Sequence, residues 1–196
     1  MGDPFPIAPP IAPILAKAAA ELPVGGGYAY EPKWDGFRAL VFHGGSDVYL
    51  QSRDSKPLGR FFPELDAILL AALPDGCILD GEIVIPTSRG LDFGALQLRL
   101  HPAASRVARL AEATPAAFVA FDLVAAAGRD LRARPQCERR DGLERVMTGI
   151  KPPIYLTPLT RDPAVASDWL VRFEGAGLDG VIAKPEKASY EPASGP

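Results

Sequence analysis

A chain of 196 residues, 47% apolar and 23% charged, is long enough for one well-packed domain, short for two, and far from the composition of a disordered polypeptide. With 21 basic and 24 acidic side chains the net charge is -3, so any nucleic-acid contact has to come from a local patch rather than a global attraction. The longest apolar runs fall far below the ~20 residues of a membrane span, residues 1–10 lack a secretory signal's basic start and apolar stretch, and Cys77 and Cys137, without CxxC spacing, suit neither a zinc site nor a disulfide framework; a cytoplasmic setting with no membrane is expected.

In chain order, residues 1–22 read as a Pro-broken entry segment with a short helix predicted over 14–21, started by Pro13. Residues 28–31 and 37–43 read as extended, and Gly44-Gly45-Ser46-Asp47 followed by an extended 48–52 signals a hairpin. Phe61, Phe62, Leu65, Ile68, Leu69 and Ala72 recur at three- and four-residue spacing, which predicts a helix over 60–73, stopped by Pro74-Asp75-Gly76. The Ile, Leu and Val-rich stretches 77–86 and 118–124 read as buried strands, with a helix over 105–113 between them that turns Arg106 and Arg109 outward. Helices are predicted over 136–147 and 163–173, the second capped by Asp162, with Pro163 first and Gly175 and Gly177 past its end. Strands over 154–157 and 180–184 complete an α+β fold, preferred over a doubly wound parallel sheet because strands outnumber helices and come partly as hairpins. No linker or repeat divides the chain, so residues 1–196 are read as a single domain.

The segment Tyr30-Glu31-Pro32-Lys33-Trp34-Asp35-Gly36-Phe37-Arg38 places a lysine, an acid, a glycine and an arginine between two predicted strands. An amine nucleophile has to be neutral, and partial burial with nearby cations lowers a lysine's ordinary pKa of ~10.4 toward that state. Lys33 alone among six lysines has such a neighbourhood; the other reading is a solvated lysine beside an Asp-Gly bend. KxDG arises by chance in about 4% of chains this long and KxDGxR in about 0.2% at ordinary residue usage, so the longer pattern is the more specific. Glu82, an acid inside an apolar strand, is costly without a partner and stands out on that ground.

These residues resemble the adenylation domain of ATP-dependent DNA ligases, in the covalent nucleotidyltransferase superfamily that also holds RNA ligases and mRNA capping enzymes. Glu31 and Lys33 match ExKxDG, Gln51-Ser52-Arg53 the Ser-Arg element, Asp80-Gly81-Glu82 the DGE element, Phe121-Asp122 the aromatic element, and Asp179-Gly180-Val181-Ile182-Ala183-Lys184 the fourth motif. The resemblance implies an antiparallel-rich adenylation fold in which Lys33 is the catalytic nucleophile toward ATP. It implies that Glu31 lies in the adenine-recognising region, that Glu82 binds the ribose, and that Phe121 and Ile182 pack on opposite purine faces. Lys184 is then expected near the phosphates, Asp179 on a divalent metal, Mg²⁺ or Mn²⁺, and Arg53 on the 5′-phosphate of a nicked duplex. Arg38 and Asp122 match too, either as ligand contacts or as braces. Backbone contacts to DNA are open to Arg53, Arg60, Arg99, Arg106 and Arg109, with solvated helix faces the alternative for the last three. Trp34 beside the lysine resembles the bacterial branch. The family continues past Tyr190-Glu191-Pro192 into a KxK pair and an OB-fold domain, which this sequence lacks, so impaired transfer and sealing are expected. A monomer is expected. The alternatives are an RNA-ligase or capping-type nucleotidyltransferase and a non-catalytic nucleotide- or DNA-binding module.

Overall fold

The computed structural model describes residues 4–101, 103–172 and 178–191. In chain order the elements are β1 (Tyr28–Trp34), β2 (Phe37–Gly44), β3 (Asp47–Ser52), a 3₁₀ turn (Gly59–Phe61), α1 (Pro63–Ala72), β4 (Cys77–Val84), β5 (Pro86–Thr87), β6 (Gly90–Leu91), α2 (Phe93–Leu98), α3 (Ala104–Ala113), β7 (Ala117–Ala126), β8 (Arg129–Asp130), α4 (Gln136–Met147), β9 (Ile154–Leu156), α5 (Pro163–Arg172) and β10 (Leu178–Pro185). The largest sheet runs β3-β2-β4-β7-β8, with β9 added parallel to β7; β1 and β10 form a separate antiparallel pair. The α+β architecture with antiparallel-rich sheets is therefore the one present.

Side-chain alternation along β2 and β4 divides the two faces of the large sheet. Ala39, Val41, Leu79 and Ile83 face a core built with Leu65 and Leu69 of α1, Leu96 of α2 and Leu143 and Met147 of α4. Leu40, Phe42 and Ile78 face the other way, into a smaller cluster closed by Ile11, Val124 and Tyr190. Arg38, Asp80 and Glu82 share the parity of that second face, so the same alternation that buries Leu40 and Phe42 aligns the polar residues beyond them.

Most predicted elements lie where the pattern puts them; α2 and the two-residue strands β5, β6 and β8 lie outside the prediction, and four expectations fail. Residues 14–21 are not helical, and the chain around Ile11 is instead held extended by Gln51, whose carboxamide donates to Ile11 O (2.6 Å) and accepts from Ile11 N (3.0 Å). Eight residues are too few to hold a helix in water without packing, and residues 15–21 are exposed. The helix expected from residue 60 starts at Pro63, after the 3₁₀ turn, because proline suits the first helical position. Strand β1 runs through Trp34, so Lys33 sits on a strand rather than in a loop. Arg99 is fully buried rather than on a solvated helix face: its guanidinium donates to both Glu64 carboxylate oxygens (2.6 and 2.7 Å) and to the Phe61 and Thr114 carbonyls. Asp162 caps α5 as expected, accepting from Ala164 N at 2.8 Å. Phe173, Gly175, Gly177 and Pro192 lie outside the described residues.

Candidate active site

The position of Lys33 follows from a bulge. In the β1–β10 ladder Pro32 pairs with Val181 and Trp34 with Leu178, so Asp179 and Gly180 together oppose Lys33. Such a two-against-one mismatch re-aims side chains, and Gly180 supplies the positive φ of 139° that a β-carbon would resist. The result is a contact between the lysine and the acid 146 residues later: Lys33 Nζ donates to Asp179 Oδ2 at 3.0 Å. Both side chains are about half exposed, 47% and 52%, so water and a ligand reach them and the pair adds little to stability.

Gly36 is required by close approach rather than by a turn. A β-carbon there would stand 2.8 Å from Glu82 Cγ and run into the Ile83 carbonyl oxygen. The glycine thus lets the chain after Lys33 lie against the Glu82 segment of β4. Burial pushes the Glu82 carboxyl up to about 8; Arg38 and Lys33 pull it down, and Asp80 and Asp35 reinforce the rise. Among the described residues Glu82 forms no ion pair. Asp35 is also raised, by burial and then by Asp179 across from it. Lys33, Asp35, Glu82 and Asp179 therefore share one electrostatic neighbourhood.

A second group surrounds Phe121. Arg38 lies over its ring (4.8 Å to the centroid), and so does Lys184 Nζ (4.9 Å), which also donates to the Phe121 carbonyl at 2.7 Å. Arg38 is fixed by a bidentate bond to the fully buried Asp80 (2.8 and 2.6 Å), which also accepts from the Tyr190 hydroxyl at 2.6 Å. Burial works against the Arg38 charge, but Asp80 outweighs it and keeps the guanidinium protonated. Glu31, 2% exposed, pairs with Lys184 at 2.7 Å and Arg140 at 3.5 Å, and stands opposite Ile182 in the ladder. Lys184 is thus engaged at the Glu31 and Phe121 end of the site. Asp122 is a brace, held by Arg139 at 2.8 and 3.0 Å. Arg53 stands apart in the exposed turn after β3 and makes no ion pair among the described residues.

The structure brings Lys33 to Asp179, Glu31 to Lys184 and Ile182, and Arg38 to Phe121, and does not join Arg53 to them. Sequence reasoning missed Arg139, Arg140, Tyr190 and the role of Asp80. A signal for the arginines existed: Gln136, Arg140, Leu143 and Met147 are spaced four, three and four apart and all are buried, so a charged residue occupies the inward stripe of α4.

The model of the ATP dependent DNA ligase domain family matches residues 10–195. DNA ligase C2 of Mycolicibacterium smegmatis is 54% identical over 188 residues, covering 96% of this chain and 52% of the relative. DNA ligase C of Mycobacterium tuberculosis is 51% identical over 192 residues, again 96% of this chain, and 53% of the relative. A mycobacterial DNA ligase D complexed with ATP and MES superposes with a TM-score of 0.73 at 29% identity, covering 93% of this chain and 56% of that one. Chlorella virus DNA ligase-adenylate shares the fold at a TM-score of 0.64 and 18% identity, over 92% of this chain and 63% of that one. The chain spans about half the length of the curated relatives it matches.

Proposed function

The chain belongs to the family of ATP-dependent DNA ligase domains, and from that footing we propose that residues 1–196 act as its adenylation domain, with Lys33 as the nucleophile that takes AMP from ATP. The observation that carries this reading is the meeting of Lys33 with Asp179 at 3.0 Å, beside Glu82 and Asp35.

In the first step the neutral Lys33 amine attacks the α-phosphorus. The N–P bond forms as the P–O bond to pyrophosphate breaks, leaving a lysyl-AMP phosphoramidate and free pyrophosphate. The proton that the ammonium gives up passes to Asp179 or to water, both in reach of a half-exposed side chain. Phe121 offers a face for adenine once Lys184 yields it, Ile182 the opposite side, and Glu31 a polar edge. Glu82 reaches the ribose; with its carboxyl held near 8 it is largely protonated at neutral pH and can donate as well as accept. Arg38, locked by Asp80, faces the nucleotide without needing to reorganise.

A divalent cation fits the donor set. Asp179, half-exposed, and Asp35, which it influences, are hard oxygen donors, the Lys33 ammonium paired with Asp179 loses its charge before attack, and Mg²⁺ takes one or two carboxylates together with substrate phosphates rather than an all-protein cage. That agrees with the lack, among the described residues, of three acidic, histidine or cysteine side chains grouped closely enough to hold a metal alone. Asp179 is the foremost ligand, for Mg²⁺ or Mn²⁺, and the bound cation would neutralise phosphate charge as pyrophosphate leaves.

AMP would then pass to a 5′-phosphate at a nick in duplex DNA, with exposed Arg53 suited to that phosphate, and a 3′-hydroxyl would displace AMP to seal the strand. The same reading makes the protein a cytoplasmic monomer; no helix of the described residues is long and apolar enough to cross a membrane. The test is incubation with α-labelled ATP and Mg²⁺. Covalent label that disappears in Lys33→Ala supports the proposal, reversible binding alone would indicate a non-catalytic module, and equal labelling from GTP would indicate a capping-type enzyme.

A further inference from the structure

Glu31 is a buried carboxylate whose two oxygens are treated differently. Oε2 receives Lys184 Nζ at 2.7 Å, while among the described residues Oε1 meets only Arg140 Nη1, at 3.5 Å. A carboxylate has about four acceptor positions, so Oε1 retains capacity for a ligand N–H. Arg140 itself is 5% exposed and fully anchored: Nη2 donates to Thr157 O at 3.0 Å and Nε to Glu144 at 2.8 Å. Thr157 accepts from the indole Nε1 of Trp34 at 2.9 Å, next to Lys33, and donates its N–H to Ala120 O at 2.9 Å, next to Phe121. One guanidinium on α4 therefore ties together the strand bearing the lysine, the strand bearing the aromatic face, and the carboxylate between them.

We propose that Arg140 is a positioning residue for base specificity: with Lys184 on Oε2, it holds the Glu31 carboxylate in place with Oε1 left as an acceptor, so that the site takes a 6-amino purine and rejects a 6-keto purine. An ionised carboxylate has no proton to donate, so a keto oxygen set against it leaves two acceptors facing each other in a low-dielectric pocket. Burial, helped by Asp122 of β7, raises the Glu31 carboxyl above its ordinary value; Lys184 of β10, through its charge and its hydrogen bond, and then Arg140 of α4 limit that rise. Without the Arg140 charge the neutral acid gains population, and its O–H can donate to a keto oxygen. The inference rests on the proposed nucleotide-binding role of this pocket and adds the residue that sets its selectivity.

The test compares covalent labelling of Lys33 from α-labelled ATP and α-labelled GTP, each with Mg²⁺, in the wild type, Arg140→Gln and Arg140→Lys, with a thermal melt of each. The expected result is a fall of about tenfold in the ATP-to-GTP labelling ratio for Arg140→Gln and a smaller fall of about threefold for Arg140→Lys, which keeps the charge but not the bond to Thr157. A ratio unchanged in Arg140→Gln, with both nucleotides reduced alike, overturns the inference and leaves a purely structural arginine. Should Arg140→Gln fail to fold, the equally uncharged Arg140→Met takes its place, and an unchanged ratio there overturns it. A wild type that takes no label from either nucleotide overturns the proposed function and this inference with it, whereas a labelled wild type with unshifted variants overturns this inference alone.

Discussion

Replacing Glu82 by Gln keeps the shape of the side chain and removes its charge, so the variant isolates what ionising this carboxyl costs the fold. In the folded chain burial lifts the group from an ordinary 4.5 to about 8. A folded pKa above the unfolded one means that the fold binds the proton more tightly, so stability is full below pH 4.5 and drains away as pH rises toward 8. At about 1.4 kcal/mol per pH unit the whole gap is worth at most about 5 kcal/mol, of which about 3 kcal/mol develops between pH 5 and pH 8. Urea unfolding of the wild type and Glu82→Gln at these two pH values measures it. The variant should gain on the wild type by about 3 kcal/mol at pH 8 relative to pH 5, as a higher midpoint at similar slope. A difference that does not change with pH would refute the reasoning, since it would show that Glu82 is solvated or already paired in the fold.

Gly36→Ala forces a β-carbon against Glu82 Cγ and the Ile83 carbonyl; it should lower the melting temperature and cut Lys33 labelling by about a hundredfold, because the chain next to the nucleophile has to shift. Tyr190→Phe leaves Asp80 with Arg38 alone; a loss of about 1–2 kcal/mol in urea unfolding is expected, together with a raised KM for ATP and little change in the labelling rate at saturation. Arg99→Gln strips Glu64 of its bidentate partner inside the core; about 3–5 kcal/mol should be lost, with affinity for nicked duplex unchanged below the new melting temperature, since Arg99 is out of reach of DNA.

Local pattern was enough for the elements bounded by strong turn or capping signals. The Gly44-Gly45-Ser46-Asp47 turn marked the hairpin of β2 and β3, an Ile, Leu and Val-rich run marked β4, three- and four-residue spacing marked α1, and Asp162-Pro163 marked the start of α5. Pattern was not enough where a distant residue decides. The extended run at Ile11 depends on Gln51, forty positions on, and the placement of Lys33 depends on a bulge created by Asp179 and Gly180 in another strand. Arg99 looks like a surface cation in one dimension and is a core residue in three, because Glu64 and two carbonyls converge on it. In the site, the residues visible from motif order were those expected to touch the nucleotide. The groups that hold them in place, Asp80 under Arg38, Tyr190 on Asp80, Arg139 on Asp122 and Arg140 on Glu31, became visible only through contacts.

Mass spectrometry of the protein after exposure to ATP and Mg²⁺, digested and read peptide by peptide, bears most directly on the claim that Lys33 is the nucleophile. One AMP in phosphoramidate linkage on the peptide carrying Lys33, removed by added pyrophosphate, is the expected finding. An unmodified Lys33 in a protein that demonstrably binds ATP, or AMP on a different side chain, would contradict it.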